Sequence, residues 1–71
     1  MLVSIEFREY VLITGDLMHR KIAESNYNHS TGEVIWKNKK GDILATRKKN
    51  IDGKYENKVE ENIYNEWKAS R

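Results

Sequence analysis

Seventy-one residues, 38% hydrophobic and 34% charged, with two Trp, four Tyr and one Phe, supply apolar material for one core, so residues 1–71 read as a single domain. Thirteen basic and eleven acidic residues leave a net charge of +2, far from the charge excess that keeps a chain unfolded. Cysteine is absent, which excludes a disulfide framework and a thiolate zinc site. So short a chain buries only about 60% of its unfolded surface, which leaves homodimerisation open as a source of further contact area.

From Leu2 to Thr14 the odd positions Val3, Ile5, Phe7, Val11 and Ile13 are apolar and many even positions polar, a period of two that predicts a long strand. Glu9 interrupts the apolar face, and a bulge at Arg8 and Glu9 restores it by turning Tyr10 inward. The stretch is broken by Ser4 and Glu6 and has no basic leader, so it predicts neither a signal peptide nor a membrane span, and the expected location is cytoplasmic. Thr14-Gly15-Asp16 reads as a turn. Leu17 to Ser25 suits a helix by propensity, but Gly15-Asp16-Leu17-Met18 parallels Gly41-Asp42-Ile43-Leu44, and the reading leans to strand.

Asn26 to Gly32 is polar and predicts an exposed loop. Glu33 to Lys37 and Ile43 to Ala45 flank Asn38-Lys39-Lys40-Gly41. That spacing predicts a hairpin closed by a type I turn with Gly41 in the left-handed region. Asn50 to Glu56 is a loop or a further strand turn. Asn57 and Glu60 resemble a capping box, and Val59, Ile63 and Trp67 recur every four residues, predicting a helix over Lys58 to Ser70. The expected fold is α+β: a small antiparallel meander of three or four strands with one C-terminal helix packed on one face. Phe7, Tyr10, Trp36 and Trp67 are expected inside, and Tyr27, Tyr55 and Tyr64 outside or on the flank.

Charge is uneven along the chain. Between residues 37 and 49 six basic residues, Lys37, Lys39, Lys40, Arg47, Lys48 and Lys49, stand against the single acid Asp42, a local net charge of +5. On one hairpin these side chains suit a phosphate backbone, with Trp36 or Tyr55 offering a face to a base. The structural alternative is that they keep an edge strand soluble, with Trp36 in the core. Contact with four to six phosphates implies a slope of log K against log salt of about −4 to −5 on duplex DNA.

Chemistry of other kinds finds little support in the residues. His19 and His29 lack metal-ligand spacing, the four glycines form no phosphate-cradling loop, and Glu56, Glu60, Glu61 and Glu66 suit the wet face of a helix. No catalytic, metal or cofactor site is therefore expected. The sequence predicts a non-enzymatic binding protein, first as a nucleic-acid binder through the basic hairpin. The alternative is an inhibitor or adaptor of the phage or mobile-element kind that binds a host protein, using exposed tyrosines as anchors.

Overall fold

The computed structural model describes residues 1–70, an α+β fold in which a five-stranded antiparallel sheet carries two helices. In chain order these are β1 (Leu2–Ile5), α1 (Phe7–His19), β2 (Ala23–Asn28), β3 (Glu33–Asn38), β4 (Ile43–Lys49), β5 (Tyr55–Glu60) and α2 (Glu61–Ala69). The sheet order is β1-β5-β4-β3-β2, so β2 to β5 form a meander and β1 closes beside β5, leaving β1 and β2 as edges. The expected antiparallel sheet and C-terminal helix are both present. One strand and one helix exceed the expected count.

The additional helix lies where a long bent strand is expected. Strand β1 ends at Ile5, and Glu6 and Glu9 then form a reciprocal capping box that starts α1, the Glu6 backbone N–H donating to Glu9 Oε1 at 3.3 Å. Two periods overlap in this segment. The alternation Val3, Ile5, Phe7 continues through Val11 and Ile13, but Tyr10, Ile13, Thr14 and Leu17 recur at helical spacing, and those four are buried. Burial favours the second pattern, leaving Phe7 and Val11 about half exposed at 51% and 47%.

No bulge forms at Arg8 and Glu9, and Gly15 lies inside the helix rather than in a turn. The strand expected over Leu17 to Ser25 is the end of α1, a turn and the start of β2. Lys21 adopts a left-handed φ of 58°, while its N–H and that of Ile22 donate to the carbonyls of Met18 and Leu17 at 3.0 and 2.9 Å. That is a Schellman ending, with a lysine where glycine is usual.

The β3–β4 hairpin forms as its turn chemistry dictates. Asn38 Oδ1 accepts from the N–H groups of Lys40 and Asp42, each at 2.9 Å, and Gly41 takes φ +90°. A register shift pairs Trp36 with Ala45 but Lys37 with Ile43, so Leu44 is an extra residue on β4. This bulge explains why the consecutive residues Leu44 and Ala45 are both buried. Asn50 to Gly53 repeats the same device between β4 and β5, with the Gly53 N–H donating to the Asn50 carbonyl at 3.0 Å and Gly53 at φ +83°. The loop expected over Asn26 to Gly32 is shorter, because Asn26 to Asn28 pair with β3 as the end of β2.

The C-terminal helix begins later than Lys58. Val59 is fully buried and pairs with Ala45 on one side and Val3 on the other, so its place in the sheet excludes it from a helical stripe. Asn57 is accordingly not the cap. Glu60 is, its Oε2 accepting from the Asn62 N–H at 2.8 Å. Ile63 and Trp67 remain four apart and pack against the core, though no residue of α2 is fully buried.

The core of Tyr10, Ile13, Leu17, Ala23, Trp36, Leu44, Ala45 and Val59 lies between the helices and one face of the sheet. Tyr64 of α2 donates its O–H to Glu9 of α1 at 2.9 Å, joining the two helices on that side. The second face of the sheet is uncovered.

Candidate functional site

Register assigns the side chains of the basic segment to different surfaces. Across the helix side run Ile5, Asn57, Arg47, Val34 and Tyr27, in neighbouring register from β1 to β2. Lys49 and Tyr55, one step further along β4 and β5, share that face. Lys48 alternates to the open face, opposite Glu56, and Lys37 likewise lies opposite Glu24. Lys39 and Lys40 occupy the β3–β4 turn. With a rise of about 3.3 Å per residue, the length of β4 holds the turn lysines roughly 20 Å from Lys48 and Lys49.

The six cations are therefore divided among a turn, the open face and the helix side, and no single surface brings them together. Trp36 is also unavailable for stacking. It is buried at 8% exposure, and its Nε1–H donates to the Tyr10 hydroxyl at 2.8 Å. The open face carries acids among its lysines, and its central row of Ser4, Lys58, Thr46, Ile35 and Asn26 contains no aromatic ring.

Arg47 and Tyr55, by contrast, do come together, with a residue that the sequence placed in the core. The Arg47 guanidinium carbon lies 4.6 Å from the ring centre of Phe7 and 4.1 Å from that of Tyr55. Each such contact contributes about 0.5–1 kcal/mol when exposed and more when water is excluded. The Phe7 ring also stacks on Tyr10 at 6.3 Å. Phe7 arrives from the first turn of α1, Arg47 from β4 and Tyr55 from the start of β5, so three separate elements make the stack.

Beneath the stack lies a polar pair without partners. Arg47 Nε and Asn57 Oδ1 are buried and make no hydrogen bond, although the two residues are directly opposed across β4 and β5. A buried polar group left unpaired costs about 1–3 kcal/mol, so this is an unfavourable arrangement for a merely structural face. The two rings against Arg47, Phe7 and Tyr55, remain 51% and 49% exposed. Burial raises the Tyr10 pKa above its usual 10.0, against the opposing effects of the Trp36 hydrogen bond and the Arg47 charge, so Tyr10 is a neutral hydroxyl in this cluster at neutral pH.

Sequence reasoning missed Phe7 and Asn57. Phe7 followed the strand alternation, and Asn57 matched a helix cap, so neither carried a local signal of its place beside Arg47.

A concavity of about 290 Å³ lies between α1, α2 and the β3–β4 hairpin, with Leu17, Leu44, Ile63 and Trp67 on its wall. Asp16, Arg20 and Glu66 also line it, with Asp16 engaged with Arg20 at 3.3 Å. Among the described residues no group of three or more His, Cys, Asp or Glu side chains is placed to hold a metal ion. No helix among them is long and apolar enough to cross a membrane.

Comparison of the chain with protein families, with curated proteins and with solved structures finds no match in any of the three.

Proposed function

We propose that this chain is a protein-binding module, acting as an inhibitor or adaptor through the aromatic and arginine surface at Phe7, Arg47 and Tyr55. The observation that carries the reading is the Arg47 guanidinium lying over two half-exposed rings, Phe7 and Tyr55, at 4.6 and 4.1 Å. Arginine and large aromatic side chains are the residue types enriched at protein interfaces, and rings that are already stacked lose little freedom on binding. The exposed edge of β2 flanks the same side and supplies unpaired backbone groups to a partner strand.

Nucleic-acid binding by the basic hairpin is the second reading, favoured by the +5 charge of residues 37–49. The division of those cations limits it. Contact through one cluster of two or three residues gives a salt slope of about −2 to −3, in place of −4 to −5 for all six.

The deciding experiment is a pull-down from nuclease-treated lysate with the wild-type chain and with a Phe7→Ser/Tyr55→Ser variant, alongside a mobility-shift titration at low salt. A protein retained by the wild type and lost by the variant supports the first reading. Retention by both overturns this surface as the site. Binding that vanishes with nuclease, together with a salt-dependent mobility shift, favours the second reading.

A further inference from the structure

We infer that Arg47 receives a carboxylate of the protein partner, an Asp or Glu flanked by apolar side chains. The inference rests on the protein-binding reading above and names the chemistry of what docks there.

The stack determines what Arg47 can still do. With Phe7 against one contact of the guanidinium and Tyr55 against another, the planar fork of Nη donors is the part left for a partner. Arg47 is partly exposed and its side chain makes no hydrogen bond, and of its guanidinium nitrogens only Nε is enclosed, so the Nη groups still reach solvent. A fork of parallel N–H groups matches the two oxygens of a carboxylate.

Among the described residues no acid answers this arginine. The ion pairs among the described residues are Met1 with Glu60 and Arg20 with Asp16. Glu6 and Glu9, the acids next to Phe7 in sequence, are engaged in the capping box, and Glu9 also accepts from Tyr64. Lys49, on the same face, adds positive charge to the site and no competing carboxylate.

Asn57 supplies the second, independent observation. It is only 8% exposed, and its Oδ1 is an unpartnered acceptor across from the unpartnered Arg47 Nε–H. The pair is complementary, so a small closure on binding lets Asn57 accept from Nε while Nη grips the carboxylate. Asn57 is in that sense a positioning residue. Phe7 and Tyr55, each about half exposed, border the charge with apolar surface, which favours an acid with apolar neighbours. A phosphate chain requires further cations at its own spacing, and on this face Lys49 is the one contributed by the basic segment.

The test is selection of a displayed random peptide library on the full chain. The expected peptides carry Asp or Glu beside Leu, Ile or Phe. Replacing that acid by its amide weakens binding by about tenfold or more, as does Arg47→Gln or Arg47→Lys, while Lys39→Gln/Lys40→Gln changes it little. The peptide acid-to-amide comparison uses the wild-type chain, so it stands even where an Arg47 variant fails to fold. Asn57→Asp, which gives Arg47 a carboxylate of its own, is expected to weaken the same peptides.

Selected peptides without an acid, or indifferent to its replacement, overturn the inference. If such peptides still depend on Phe7 and Tyr55, the protein-binding surface stands and only its carboxylate chemistry falls. Binding of an oligodeoxythymidine that depends on Arg47, with no acidic peptide selected, also overturns it and assigns the arginine to phosphate.

Discussion

Trp36 and Tyr10 share a buried hydrogen bond, in which the indole Nε1–H donates to the phenol oxygen at 2.8 Å and ties β3 to α1. Both residues belong to the core, at 8% and 6% exposure, so neither polar atom has a ready substitute in water. Tyr10→Phe keeps the ring and removes the acceptor. It is expected to cost about 1–3 kcal/mol in urea denaturation, because the indole N–H is then buried unpaired. Trp36→Phe in the same background removes the orphan, and the double variant is expected to lose less than the sum of the two singles.

The same burial gives Tyr10 a pH dependence of definite sign. Its pKa is raised above 10.0 in the folded chain, mainly by burial, so the unfolded chain releases the phenolic proton first. The associated stability is complete below about pH 10 and is lost as pH rises through the folded value. An ultraviolet titration is expected to show tyrosinate absorbance from Tyr10 only above the range of an exposed tyrosine. Ionisation of Tyr10 in that ordinary range while the chain remains folded contradicts its burial.

Two glycines test the reassignment of the amino-terminal segment. Gly15 lies within α1, and a Cβ built there meets nothing within 4 Å, so Gly15→Ala is expected to stabilise by about 0.5–1 kcal/mol. Were Gly15 in the turn its sequence suggests, alanine would gain no helix propensity there. Gly41 also has open space around it, but its φ is +90°, and Gly41→Ala is expected to destabilise by about 1–2 kcal/mol. Melting curves of the two variants should shift in opposite directions.

Glu60 connects the two ends of the described chain. Its carboxyl is held below the usual 4.5, first by the hydrogen bond from the amino-terminal ammonium at 3.2 Å, which outweighs the opposing effect of burial, and then by the backbone N–H groups of Asn62 and Ile63 at the start of α2. A lowered folded pKa contributes stability that is present above the unfolded value and lost as pH falls through the folded one. Acid titration by carboxyl carbon resonances should find Glu60 below its value in the unfolded chain. In Glu60→Gln that acid-sensitive contribution is expected to disappear, and amide exchange in α2 to quicken because the cap is weakened.

Much of the fold was legible wherever a local device acts alone. Asn38 and Gly41 bracket a turn whose backbone geometry they nearly dictate, and Trp36 alternates inward between a half-buried Ile35 and an exposed Lys37. The amino-terminal segment was not legible in this way, because Val3, Ile5 and Phe7 extend a strand period into residues that also fit a helix. Asn57 and Glu60 show the same ambiguity at the other end, where a pair that resembles a capping box belongs to a strand.

The sequence by itself determined the α+β class, the β3–β4 hairpin, the buried Trp36, and a basic stretch against a near-neutral whole. Each depends on neighbours a few residues apart, so each is written locally. Only the tertiary structure decided which face each cation occupies, since strand alternation and sheet register send Lys48 to the side opposite Arg47 and Lys49. Only packing decided that Phe7 leaves the core to cover Arg47, forty residues away in sequence, because the burial of Tyr10, Ile13 and Leu17 selects the helix and its first turn then overlies β4.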